Sequence, residues 1–208
     1  NATGLFPEGV TIRSGDYEKL QELAAAFAGI ERVLLISSNA IGQRLAQHRN
    51  AIAAARQAGV ARIAYTSVLR ADVSPLGLAE EHRQTESALA ESGLPYSLLR
   101  NGWYTENYTA SIPPALAHGA FIGSAGNGRI ASAARIDYAE AAAVALVSDE
   151  GPRVVHELAG DSSYSLAEFA AELSLRAGRT IPYVDMPEAQ YRAALLGAGL
   201  PEGLAALI

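Results

Sequence analysis

Cysteine is absent from the 208 residues. That excludes disulfides, thiolate nucleophiles, cysteine-ligated zinc and iron–sulfur clusters. Histidine is scarce: His48, His82, His118 and His156 are scattered and form no H-x-x-x-H pair, so no metal site is expected. Charge is thin, at 18% of residues, and 16 Lys and Arg against 22 Asp and Glu leave a net charge of −6. Such a balance lacks the basic face that nucleic-acid binding needs and has no attraction to anionic membrane. No run of about 18 apolar residues occurs, so no membrane span is expected. The N-terminus has no basic-then-apolar signal, and the cytoplasm is the expected location. What is there instead is a chain that is 50% hydrophobic and rich in alanine. It is long enough for one large domain, or a domain with a small lobe, around a real core.

The apolar residues alternate between two periods. Val10–Arg13 is a short β-like run, and Glu18 to Phe27 has helical spacing, with Leu20, Leu23 and Phe27 on one face. Arg32–Ile36, Arg62–Thr66 and Tyr96–Arg100 read as apolar strands. Between them Gln43–Ala58 and Glu80–Glu91 read as helices closed by Gly59 and by Ser92-Gly93. Strand and helix recur at roughly 30-residue spacing, which predicts βαβ units and a doubly wound parallel sheet covered on both faces. After residue 110 the rhythm changes. Phe121–Gly123 and Arg129–Ala133 bracket Gly126-Asn127-Gly128 and predict a hairpin. Asp137 is placed to N-cap the helix Tyr138–Ser148, and Ser165 to N-cap Leu166–Ala177. Val154–Leu158 and Ile181–Val184 read as strands, and Pro187 opens a last helix. The expected organisation is a dinucleotide-binding domain over 1–110 and a smaller α/β substrate lobe over 111–208, with helix 137–148 packing back on the sheet.

Candidate site residues follow from where the strands stop. Ligands of open parallel sheets lie beyond the carboxyl ends of the strands. Those ends carry Asp16-Tyr17, Ser37-Ser38, Thr66-Ser67 and Asn101-Gly102. Small residues let a ligand approach the backbone, and hydroxyls and amides bond ribose and carboxamide groups, so the set suits a dinucleotide. Trp103, the single tryptophan, and Tyr104 follow directly. Asn101, Tyr104 and His82 are the candidate donors to a substrate oxygen. His82 is read on a helix surface, as is His48 beside Gln47 and Arg49. No Tyr-x-x-x-Lys pair follows Ser67, which argues against alcohol-dehydrogenase chemistry. Asn1–Pro7 echoes a G-A-T-G-x-x-G turn but has Asn and Pro where glycines are needed, so it is not read as a phosphate loop.

Several runs carry a family resemblance. They are L-L-I-S-S at 34–38, Q-H-R-N at 47–50, Y-T-S at 65–67 and A-D-V-S-P-L-G-L-A-E-E-H at 71–82. L-L-R-N-G-W-Y-T-E-N-Y at 98–108, F-I-G at 121–123 and E-L-A-G-D-S at 157–162 extend them. Together they resemble bacterial NmrA-like NAD(P)H:quinone oxidoreductases, atypical members of the short-chain dehydrogenase/reductase superfamily. The resemblance implies a Rossmann domain with a C-terminal substrate lobe. It also implies NADPH as cofactor, with NADH as the alternative, and two-electron reduction of a small-molecule quinone. A homodimer is the assembly expected. Ser37, Ser38, Tyr65, Thr66, Ser67, Asn101, Trp103 and Tyr104 would then line the nicotinamide and quinone region, and Asp16 and Tyr17 would lie near the adenine. Two other outcomes stay open: a non-catalytic dinucleotide sensor, or a reductase of other aromatic electrophiles such as triphenylmethane dyes. The resemblance begins at about the family's third strand. The expectation is therefore a sheet without its first βαβ unit and without the extreme C-terminus, leaving an edge for something else to cover.

Overall fold

The structure is a computed structural model, and it describes residues 6–205. Asn1–Leu5, the first part of the G-A-T-G echo, lie outside the described residues. Four strands form one sheet in the order β1-β2-β3-β5: β1 (Arg32–Leu35), β2 (Arg62–Val68), β3 (Tyr96–Asn101) and β5 (Arg153–Leu158). β1 and β2 pair in parallel, Arg32 beside Arg62 through Leu35 beside Tyr65. The Ile63 N–H donates to the Pro95 carbonyl and the Leu69 N–H to the Asn101 carbonyl, so β2 and β3 also run together. β2 is buried at six consecutive positions, as a strand covered on both faces must be. The predicted α/β parallel architecture is the one observed. Val10–Arg13 forms no strand; it is exposed throughout, and an isolated β-like run without a neighbour has nothing to bond.

The chain divides into two compact units that interleave rather than split at residue 110. The first contains the residues up to Ser67 with Ala79–Leu99 and Ala142–His156. Helix α1 (Leu20–Ala26) and the long α2 (Arg44–Gln57) contribute Leu23, Ala51, Ile52, Ala54 and Ala55 to its core. These pack with Val33 and Leu35 of β1, Ile63 and Tyr65 of β2, Leu98 of β3 and Leu89 of α3 (Gly77–Ser92). Alanine on the inward face of α2 lets the helix lie close to its neighbours. The later residues of α6 (Arg135–Val147) belong to this unit, where the Arg32 guanidinium donates to the Leu146 carbonyl at 2.8 Å.

The second unit contains Val68–Leu78, Arg100–Ala141 and the residues from Glu157 onward. It holds α4 (Thr105–Thr109), α5 (Ile112–His118), β4 (Phe121–Gly123), α7 (Leu166–Ala177), β6 (Tyr183–Asp185), α8 (Glu188–Gly197) and α9 (Glu202–Ala205). Its core joins Ala115, Phe121, Leu166, Ala170, Leu173 and Ile181. The predicted hairpin is not formed. β4 pairs in parallel with β6, whereas Ile130 bridges to Tyr164 and Ala133 to Tyr104. A turn does close, Gly128 N–H to the Ala125 carbonyl, but Gly126 is held through its N–H by Asp185. Asp137 also differs from expectation. It sits inside the first turn of α6, and its carboxylate accepts the Ala134 N–H from within the helix. α7 begins as predicted, with Ser165 and Glu168 forming a capping box. Among the described residues no helix is long and apolar enough to cross a membrane, and no His, Cys, Asp and Glu cluster could hold a metal.

Candidate active site

In the first unit the turn after β1 is tied down by side chains from two elements, β2 and α2. The Ser37 N–H donates to Thr66 Oγ1 at 2.8 Å, and Thr66 Oγ1 donates to Ser37 Oγ at 3.4 Å. The Ser38 N–H donates to His48 Nε2 at 3.0 Å, and the Ser38 carbonyl accepts from Arg44 Nε at 2.6 Å. Ser38 Oγ donates to Gln47 Oε1 at 2.5 Å and accepts the Ala40 N–H. Arg44, Gln47 and His48 stand at i, i+3 and i+4 on one face of α2.

Both histidines of this unit are interior, His48 at 0% and His82 at 4% exposure. This corrects the expected surface placement. Each ring finds buried polar partners, which offsets its loss of water. A backbone N–H only donates, so His48 Nε2 must carry its lone pair, and His48 Nδ1–H then donates to Thr85 Oγ1 at 3.0 Å. Thr85 passes its own proton to the Glu81 carbonyl. His82 Nε2 faces Arg44 Nη1 at 3.4 Å, and His82 Nδ1 faces Tyr65 Oη at 2.8 Å. Burial, and then the Arg44 charge, push His48 down to about 4 and His82 down to about 3. Both rings are neutral at pH 7. Burial pushes the Tyr65 phenol up, so it also stays neutral. His82 thus holds no spare proton: its single N–H is spent on Tyr65.

The remaining candidates of this unit are half-buried or bonded in place. Asp16 accepts the Glu18 N–H and pairs with Lys19 at 3.5 Å. The Tyr17 hydroxyl donates to the Ile36 carbonyl at 3.4 Å. Ser67 Oγ donates to Glu86 at 2.5 Å.

In the second unit Asn101, Gly102, Trp103 and Tyr104 end β3 and lead into α4. Asn101 is buried, at 6% exposure. Its Nδ2 reaches Tyr104 Oη at only 3.4 Å, and its Oδ1 has no partner among the described residues. Tyr104 packs on Tyr138, ring centroids 5.2 Å apart, and burial raises the Tyr138 phenol. Gly102 sits where a side chain would be crowded. A Cβ on it would lie 3.0 Å from the Tyr138 hydroxyl and 3.2 Å from the Leu158 carbonyl oxygen.

Sequence reasoning missed Arg44, Gln47, Thr85 and Glu86 as supports of the candidate residues. Their only signal was helical spacing: 44, 47 and 48 share one face of α2, and 82, 85 and 86 share one face of α3.

Residues 2–149 match the NAD(P)H-binding family. Quinone oxidoreductase 2 of Escherichia coli is 54% identical over 208 residues, 100% of this chain and 72% of that relative. The crystal structure of the NADPH-dependent quinone oxidoreductase of Escherichia coli complexed with NADPH matches at a TM-score of 0.92 and 55% identity. That match covers 96% of this chain and 71% of the other. Citrobacter sp. triphenylmethane reductase complexed with NADP(H) matches at a TM-score of 0.86 and 32% identity, over 95% of this chain and 70% of that one. The parallel α/β sheet and these likenesses agree: the chain belongs to the NAD(P)H-binding family.

Proposed function

We propose that this protein is an NADPH-dependent quinone reductase that delivers two electrons to a quinone and yields the hydroquinone. The observation that carries the reading is Asn101: a buried amide at a strand's carboxyl end with one end unsatisfied. Burying a polar group without a partner costs about 1–3 kcal/mol, so such a group points to a ligand. The relatives named quinone oxidoreductase support the substrate class.

The residues present fit a nicotinamide dinucleotide. Ser37 Oγ accepts from Thr66, and its own proton meets no acceptor among the described residues. In the first unit, Ser37 supplies a hydroxyl donor, Thr66 and Ser67 supply acceptor oxygens because their protons go to Ser37 and Glu86, Tyr65 backs them, and Asp16 and Tyr17 serve the adenine side. Gly102 keeps the backbone approachable, and Trp103 offers a flat apolar face. When bound, the dinucleotide supplies a hydride. The unpaired Asn101 Oδ1 would accept an N–H or O–H of the bound ligand, and the Nδ2–H not given to Tyr104 would donate to the quinone oxygen on which negative charge develops. The Tyr104 hydroxyl is the second donor. The hydride would carry both electrons and one hydrogen, so full reduction needs one further proton, which solvent supplies. Formation of an aromatic hydroquinone lessens the need for a strong acid, in keeping with the absent Tyr-x-x-x-Lys pair. His82 enters this reading as a neutral strut for Tyr65.

NADPH oxidation with a simple quinone tests the reading. Wild-type turnover is expected, with Asn101→Ala lowering kcat/KM by about a hundredfold. Saturable NADPH binding without turnover would instead make the protein a dinucleotide sensor. The likeness to triphenylmethane reductase favours one alternative substrate class, so a triphenylmethane dye belongs in the same assay. A cytoplasmic location and a homodimeric assembly complete the reading; fractionation and sedimentation test them.

A further inference from the structure

The polar face of α2 has no counterpart in ordinary helix packing. Arg44, Gln47 and His48 are 6%, 9% and 0% exposed. Three polar side chains turned inward on one helix face are costly unless each is satisfied. All three are satisfied by one residue, Ser38, through its carbonyl, hydroxyl and N–H respectively. Ser38 Oγ also takes the Ala40 N–H. No donor of Ser38 is left for a ligand. Ser37, one residue earlier, keeps a hydroxyl proton to donate.

We infer that His48 is a positioning residue: its neutral ring anchors the Ser38 N–H, so that α2 holds the turn after β1 with Ser37 presented to the dinucleotide. This rests on the reading that the protein binds NADPH. The bonds run in one direction, from the Ser38 N–H to His48 Nε2, from His48 Nδ1–H to Thr85, and from Thr85 to the Glu81 carbonyl. Every donor in the series is spent, so reversing any one leaves a buried group unpaired. The series joins the turn, α2 and α3. Of the two serines, Ser37 is therefore the contact and Ser38 the scaffold. This narrows the pair expected from sequence.

Two near-isosteric substitutions separate the ends of the ring. In His48→Gln the side-chain oxygen reaches roughly the place of Nε2 and still accepts the Ser38 N–H. In His48→Asn the side-chain nitrogen takes roughly the place of Nδ1 and still donates to Thr85, but Ser38 loses its acceptor. Both variants are expected to lower Tm. Only His48→Asn is expected to raise the Kd for NADPH, by about tenfold, the value of one buried hydrogen bond. Its KM for NADPH should rise while kcat changes little. His48→Gln should stay within about twofold of wild type. Exchange of the Ser38 amide, followed by NMR without cofactor, should speed up in His48→Asn and not in His48→Gln.

Equal Kd values for the two variants, or a Ser38 amide still protected in His48→Asn, would overturn the inference. A wild-type chain that binds no NADPH overturns the parent reading and the positioning role together. Tight wild-type binding with no difference between the variants overturns the positioning role alone. If His48→Asn does not fold, Gln47→Met removes the acceptor of Ser38 Oγ at similar volume and should raise the Kd several-fold. An unchanged Kd there would likewise overturn it.

Discussion

At the scale of single residues, the candidate site is governed by groups that have no room or no partner. Gly102 is the clearest steric case. A methyl group there would press on the Leu158 carbonyl, which is fixed backbone, and on the Tyr138 hydroxyl. Gly102→Ala is expected to destabilise the protein by about 1–3 kcal/mol, read as a lowered urea midpoint with an unchanged slope. Asn101 is the electrostatic case. Asn101→Leu should remove the desolvation cost of the unsatisfied amide and leave stability level or higher, while activity falls. A loss of stability in that variant would mean the amide has a protein partner after all. The sequence named both residues from their place at a strand's end. It did not show that Ser38, their equal by the same rule, gives both of its donors to α2.

At the scale of elements, helix ends and helix faces tell different stories. The start of α7 is legible in sequence because a capping box is local. Ser165 Oγ accepts the Glu168 N–H at 3.1 Å, and Glu168 accepts the Ser165 N–H at 2.7 Å. Ser165→Ala is expected to cost about 1 kcal/mol, measurable by chemical denaturation. The hairpin over 121–133 was misread for the opposite reason. Its turn closes locally, but the partner of Phe121–Gly123 is Tyr183–Asp185, some sixty residues on. The polar faces of α2 and α3 were misread as solvent-facing. Periodicity shows which residues share a face, not what that face meets.

At the scale of the whole molecule, two cores and a pair of interior imidazoles set the stability. Leu89 and Leu173 belong to different cores. Leu89, at 0% exposure, should cost about 2–5 kcal/mol when cut to Ala. The histidines give a pH dependence of definite sign. In the unfolded chain a histidine titrates near 6.5; in the folded protein His48 titrates at about 4 and His82 at about 3. The groups around them are Arg44, Tyr65, Thr85 and Tyr17, and Arg44 opposes a second positive charge. Below pH 6.5 the unfolded state binds protons that the folded state refuses. Stability is therefore fully present above about pH 6.5. It declines toward pH 4 and below, by about 1.4 kcal/mol per pH unit for each ring. Urea midpoints from pH 7.5 to 4.5 test this. The decline should be roughly halved in His82→Gln, and a flat profile in wild type would mean that the rings are not locked neutral.

By itself the sequence determined the alternation of strands and helices, and with it the parallel α/β class, because periodicity and the glycines and caps that punctuate it are local. It also gave the strand ends as the expected place for a ligand, since a parallel sheet offers its carboxyl ends whatever its side chains. Tertiary structure alone decided the rest. Whether a histidine is solvated or interior, whether a serine's donors are spent or free, and which strand completes a pair all depend on groups far apart in the chain. Their hydrogen-bond partners, and hence their protonation states, exist only once the chain has folded.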